Sequence, residues 1–186
     1  MYFEQPGKEN TAAVCQLVLE TAKKRGIRNI VVSSNTGYTM GYLIDNKGLN
    51  LVCVTHQIGF RKPGQDEMGS EKRSELIKQG VKILTATHLM GGIERAALNR
   101  FGGSGIQSIT AYTLRMFGQG TKVCAEIASM ALDAGLIPVD EDIIAVGGSG
   151  RGADTAWIIR PAHSQEFYNT EMKELLCKPR HIRRKK

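Results

Sequence analysis

The chain has no CxxC pair and no HxH or HxxxH pair, and it spreads only four cysteines, Cys15, Cys53, Cys124 and Cys177, over 186 residues. That spacing argues against a zinc framework or a disulfide scaffold and predicts buried, reduced thiols. No stretch approaches the roughly 18 apolar residues that would cross a bilayer. The opening residues, Met1–Gly7, lack the basic and apolar regions of a signal peptide. These absences predict a cytoplasmic location, no membrane partner and no bound metal. There is no GxSxG elbow and no Ser/His/Asp order. The hydroxyl-rich stretch at 33–39 contains no lysine, so it is not a GxxxxGK[ST] nucleotide loop.

What is present is ordinary in amount, with 41% hydrophobic and 23% charged residues. The length suits one domain with a sizeable core. The net charge is +7, but Lys178, Arg180, Arg183, Arg184, Lys185 and Lys186 carry six of those charges, leaving +1 for residues 1–177. The expected layout is therefore a near-neutral domain over 1–177 and a basic tail over 178–186. Nucleic acid is an expected partner only through that tail.

The chain alternates helical and strand patterns. Asn10 is expected to cap a helix over 11–25, with Val14, Leu17, Val18, Thr21 and Ala22 on one face and Gly26 at its end. Strands are predicted at Asn29–Ser33, Leu49–Thr55, Val81–Thr85, Asp142–Gly147 and Thr155–Arg160. A short helix is expected over Thr39–Asn46, and another runs from a Ser70 cap to Gln79. Thr121–Ala134 reads as a helix, and another is expected near 165–176. Residues 86–120 interrupt the rhythm with seven glycines around two helices, Ile93–Arg100 and Gln107–Phe117. Such an insertion suits a lid or a homo-oligomer contact. The connection 148–154 is too short for a parallel crossover, which needs a dozen or more residues, so the last strand should run antiparallel.

Three loops follow strand ends, the edge where open α/β sheets bind ligands. The first holds Ser33, Ser34, Asn35, Thr36, Gly37, Tyr38 and Thr39. Five polar side chains and a glycine ahead of a helical pattern suit an anion such as phosphate. The second, Gly148-Ser149-Gly150-Arg151-Gly152-Ala153-Asp154, matches GxGxxA in letters, but a strand follows it rather than a helix, which excludes a nicotinamide Rossmann site. With Gly147, its Gly148, Ser149, Arg151, Gly152 and Asp154 are second-loop candidates for ligand contact. The third group is His56 and His88, each just past a strand, which could contact ligand or serve as acid/base groups. Cys53 lies inside a strand and is not read as a nucleophile.

Ala22-Lys23-Lys24-Arg25-Gly26 followed by Asn29–Thr39 resembles the C-terminal α/β domain of pyruvate kinase, and Asp140–Arg160 resembles that domain's last hairpin. The resemblance implies a three-layer α/β/α sandwich around a five-stranded mixed sheet of order 3-2-1-4-5, its last strand antiparallel. It also implies the absence of the catalytic barrel, for which these residues leave no room, and so no pyruvate kinase activity. In many members of that family the Ser/Thr loop grips a phosphate of a sugar bisphosphate effector and the final hairpin closes on it, which the resemblance carries to Ser33–Thr39 and Gly148–Asp154 here. The insertion at 86–120 and the long loop His56–Gly69 depart from the pattern and suggest a larger phosphorylated ligand. FMN is the leading expectation, with Tyr38, Phe60, Tyr112 and Phe117 as ring walls. The alternatives are a flavin-dependent or other small-molecule enzyme using His56 or His88, and a nucleic-acid or partner module working through the tail.

Overall fold

A computed structural model of the chain describes residues 1–181. In chain order the elements are β1 (Tyr2–Phe3), α1 (Thr11–Arg25), β2 (Asn29–Ser33), β3 (Asn50–Thr55), α2 (Ser70–Lys78), β4 (Lys82–Thr85), α3 (Gly92–Phe101), α4 (Ile106–Arg115), α5 (Gln119–Asp133), β5 (Ile143–Gly147), β6 (Thr155–Arg160) and β7 (Glu171–Pro179). Short 3-10 turns occupy Lys8–Asn10, Met40–Tyr42 and Ser164–Asn169.

The strands form one mixed sheet of order β1-β7-β6-β5-β2-β3-β4. The four strands β4, β3, β2 and β5 are mutually parallel, β6 runs antiparallel to β5, β7 antiparallel to β6, and β1 parallel to β7. The predicted order 3-2-1-4-5 is the run β4-β3-β2-β5-β6 within this sheet, but the strand number is seven among the described residues, not five.

Alternation along the strands divides the core in two. Ile30, Val32, Cys53, Ile144 and Val146 face one way, onto Val14 and Val18 of α1 and Leu76 of α2. Val31, Val52, Val54, Ile143 and Ala145 face the other way, onto Cys124, Ile127, Ala128 and Ala131 of α5. Helices thus cover both faces, which explains why β2 and β3 read as unbroken apolar runs. Each fully buried aliphatic side chain contributes about 1.5–3 kcal/mol.

Several local expectations need correction. The helix near 165–176 is a 3-10 turn followed by β7. Met172, Leu175 and Leu176 fall at helical spacing, but the open edge of β6 offers a ladder, and pairing overrides the local pattern. Two register shifts between β6 and β7 also break the strict alternation that marks a strand. The expected helix Thr39–Asn46 shrinks to Met40–Tyr42, because Asp45 takes a positive φ and the Asn46 amide donates to the carbonyls of Leu43 and Ile44. Asn10 is itself helical and makes no cap bond; its amide donates to the Gln5 carbonyl at 2.8 Å. Ser70 is the first residue of α2, behind Gly69, and makes no cap bond either. Helix α5 starts two residues earlier than expected, at Gln119. Of the expected basic tail, Lys178 and Pro179 end β7, and the Arg180 amide donates to the Phe3 carbonyl at 2.8 Å. Residues 182–186 lie outside the described residues.

Candidate functional site at the carboxyl edge

Strands β2 and β5 are parallel neighbours. From β2 the sheet continues through β3 to β4, and from β5 through β6 to β7 and β1. Their carboxyl ends therefore mark the point where the winding reverses, the usual ligand edge of such sheets.

The loop after β2 is held largely by its own groups. Ser33 ends β2, paired with Val54. Ser34 is buried; its amide donates to the Val54 carbonyl, and its Oγ accepts from the Thr39 amide at 3.1 Å. Thr39 is buried as well. Asn35 reaches sideways: its Oδ1 accepts from the His56 amide at 2.9 Å, and its Nδ2 lies 3.2 Å from His56 Nε2. Gly37 is doubly required. Its φ is 78°, and a Cβ there would meet Lys72 Cγ at 3.0 Å and Leu76 Cδ1 at 3.1 Å. Thr36 is exposed. Tyr38 and Tyr42 share a hydroxyl contact of 2.9 Å, and Lys8 Nζ stands 4.2 Å above the Tyr38 ring.

The hairpin 148–154 folds over the start of α1. A Cβ at Gly148 would meet the Gly152 carbonyl oxygen at 2.3 Å, and one at Gly152 would meet Thr11 Oγ1 at 2.3 Å and Lys8 Cα at 2.8 Å. Thr11 Oγ1 donates to the Lys8 carbonyl at 2.7 Å and accepts from the Ala153 amide at 3.0 Å. Asp154 is fully buried; its carboxylate accepts from the Ser149 amide at 3.0 Å and the Thr155 hydroxyl at 2.7 Å. Burial pushes its pKa up, and those hydrogen bonds oppose the shift without cancelling it. Arg151 is exposed. Gly147 lies under α5, where a Cβ would meet the Gly120 carbonyl oxygen at 2.7 Å. The opening loop and the hairpin therefore meet on one short segment, with Lys8 touching both.

The two histidines come together, with ring centroids 5.3 Å apart. His56 Nδ1 is 2.6 Å from Glu67 Oε1, and Arg61 holds the other Glu67 oxygen at 2.9 Å. This network is satisfied when Nδ1 carries the His56 proton and Nε2 accepts from Asn35. Phe60 stacks on His56 with centroids 3.8 Å apart. His88 Nε2 lies 3.3 Å from the Thr55 carbonyl oxygen, and its Nδ1 is 3.6 Å from Glu126 Oε2. Glu126 also accepts from the Met90 amide at 2.8 Å and from Lys122 through a very short contact. Lys122 and Glu126 are only 4% and 1% exposed, so this ion pair is out of reach of bulk water. Burial lowers the pKa of His88, opposed by the Glu126 charge, and burial likewise lowers that of Lys122 against the attraction of Glu126.

Sequence reading missed Lys8, Glu67, Lys122 and Glu126. The i,i+4 spacing of Lys122 and Glu126 is visible in the sequence but usually marks a solvated helix face. Tyr112 and Phe117 are exposed on the outer side of the insertion. The four cysteines are buried, and burial pushes the thiols of Cys15, Cys53 and Cys177 up to about 12. Among the described residues, no group of three or more His, Cys, Asp and Glu is placed to hold a metal ion, and no helix is long and apolar enough to cross a membrane.

A mixed sheet covered on both faces, with polar loops gathered where the winding reverses, defines a doubly wound α/β domain. The family model of the pyruvate kinase alpha/beta domain matches residues 12–159. The chain belongs to that family. Among solved structures it is similar to a Cryptosporidium parvum pyruvate kinase, at 16% identity and a TM-score of 0.44, over 81% of this chain and 22% of that one. It is also similar to Cryptosporidium parvum pyruvate kinase in complex with ADP, at 17% identity and a TM-score of 0.44, over 85% of this chain and 24% of that one. The chain thus spans about a quarter of the length of those enzymes.

Proposed function

We propose that the carboxyl edge binds a phosphorylated small molecule, with FMN as the leading ligand, and that this chain does so without pyruvate kinase activity. The observation that carries the reading is the convergence of the Ser33–Thr39 loop and the 148–154 hairpin on Lys8–Thr11. Helices α1 and α5, each 15 residues long, begin beside that hairpin, α1 at Thr11 and α5 where Gly120 meets Thr155. Neither has a side-chain cap on its first turn. Helix α1 continues from the Lys8–Asn10 turn, where the Thr11 amide donates to the Lys8 carbonyl, so it offers its positive dipole end; the uncapped first turn of α5 leaves N–H groups for an anion as well. Thr36, Lys8 and Arg151 are exposed beside them and complete a phosphate-binding set of donors. Asn35, Tyr38 and the Phe60–His56 stack supply polar and aromatic surface for the rest of a nucleotide.

The test is native mass spectrometry of the purified protein, followed by thermal unfolding with FMN and with sugar phosphates. A ligand at 100 times its Kd stabilises by about 2.7 kcal/mol. The expected outcome is a bound phosphorylated species, and a Lys8→Ala, Thr36→Ala variant that loses the thermal shift. No bound species and no shift with any phosphorylated probe would overturn the reading.

The His56–Glu67 contact of 2.6 Å favours a second reading, a flavin-dependent or other small-molecule enzyme using the same pocket. A histidine oriented by a carboxylate is the usual form of a general base. Turnover that survives His56→Gln and His88→Gln together would remove that role.

A further inference from the structure

We propose that the α3–α4 segment is the face through which two copies of this chain associate, with α4 packed against α4 across a two-fold axis. The observation is an inverted surface. Seven large apolar side chains between Ile93 and Phe117 are more than half exposed, with Ile93 at 89% and Phe101 at 83%. At roughly 150 Å² for each such side chain they present on the order of 1,000 Å². A monomer's largest apolar patch is usually about 300–600 Å², and a stable interface needs about 800 Å² per partner.

The spacing names the occupant. Ile106, Ile109, Thr113 and Met116 fall at i, i+3, i+7 and i+10, the seam that one helix offers to another helix. Tyr112 and Phe117 flank that seam and are exposed too. The opposite side of α4 is already used: Ala111 is buried and Leu114 is half-buried. Helix α4 is therefore apolar on two sides, and among the described residues only one of them is covered.

Charge favours a second copy. Arg115 is the one charged residue of α4, and it turns to Gln119 Oε1 at 2.7 Å. Arg115 also lies over the flanking Tyr112 ring, 5.0 Å from its centroid, so a two-fold pairing meets no charge on the seam residues themselves and the guanidinium stays at the rim. The face is also fixed beforehand, which limits the entropy cost of association. Glu94 of α3 accepts from the Gln107 and Ser108 amides at 3.0 and 2.7 Å and so caps α4. Thr110 Oγ1 lies 2.7 Å from the Tyr168 hydroxyl on the other flank. Beside the seam, Ile109, Thr113, Phe167 and Tyr168 line an apolar groove of about 360 Å³, large enough to take a ring from the second copy.

The experiment is sedimentation velocity of the full chain from 1 to 100 µM. The expected species is a dimer, twice the 20.4 kDa chain mass. Ile109→Glu with Met116→Glu should loosen it at least tenfold while leaving the far-UV circular dichroism unchanged. Thr113→Cys, next to the two-fold axis, should give a disulfide-linked dimer on mild oxidation, because the native cysteines are all buried. This second variant keeps the test decisive if the charged one misfolds. A wild type that stays monomeric at 100 µM would overturn the proposal. So would a dimer that survives the double charge variant, or one that gives no Thr113→Cys cross-link.

Discussion

The carboxyl edge and the α3–α4 segment break the same rule in opposite directions. At the carboxyl edge, Lys122, Glu126 and Asp154 are charged or titratable groups taken out of water. On α3 and α4, Ile93, Phe101, Ile106 and Met116 are apolar groups left in it. Exposed single apolar residues are common, but a buried charge or a broad apolar patch is informative. The buried groups are tied by hydrogen bonds to defined partners, Lys122 and Glu126 to each other, Glu126 to Met90, and Asp154 to Ser149 and Thr155. The exposed groups stand largely clear of the other described residues, and the proposed association rests on that exposure.

The largest effect that could break this contrast is loss of the buried ion pair. Glu126→Ala leaves Lys122 buried without a counter-charge and the Met90 amide without an acceptor. We expect a loss of about 3–5 kcal/mol in urea unfolding. A loss of less than about 1 kcal/mol would mean that water reaches the pair. Asn35→Ala should cost less, about 1–3 kcal/mol, because the His56 amide loses its acceptor. It should also weaken binding of any ligand that needs His56 held in place, read as the thermal shift with FMN.

Asp154 sharpens the comparison through pH. Its folded carboxyl keeps a proton to higher pH than the unfolded one. That contribution to stability is whole below the unfolded carboxylate range, near pH 4, and is lost as pH rises through the folded value. Wild type should therefore gain stability relative to Asp154→Asn as pH falls from 7 to 4, with chemical unfolding as the readout. A constant difference would show that the carboxylate is as well accommodated in the hairpin as in water. The smallest effect belongs to the other region. Ile93 is 89% exposed, so Ile93→Ser should change stability by no more than about 0.5 kcal/mol.

Both regions were partly readable from sequence, and for different reasons. The strand positions followed from apolar runs and glycine stops, and the antiparallel β6 from a hairpin too short to cross over, whereas the order β4-β3-β2-β5-β6 was implied by the resemblance to the pyruvate kinase domain. Gly26 ends α1 in the left-handed conformation as its position suggested. The two histidines were placed by the rule that polar residues past strand ends gather at one edge. Their partners were not readable: Glu67 lies in a long polar loop, and Glu126 sits on a helix face that looks solvated until the neighbouring Met90 and His88 are known. The exposed face of α4 was hidden in a similar way, because the apolar spacing of Ile106, Ile109 and Met116 is the same whether that face is buried or open. Periodicity tells which residues share a face, and only the tertiary arrangement tells whether that face is covered. Strands β1 and β7 escaped for the simplest reason: each exists through pairing, β7 on β6 and β1 on β7.

That last pairing bears on the order in which the chain can finish folding. The amino group of Met1 donates to the Leu176 carbonyl at 2.6 Å, across a sequence separation of 175 residues. At a ribosomal rate of about 5–20 residues per second, β1 waits roughly 10–35 s for its partner to be made. The sheet from β4 to β6 can assemble during that interval, so closure of the β1–β7 edge is the last pairing the sheet can make.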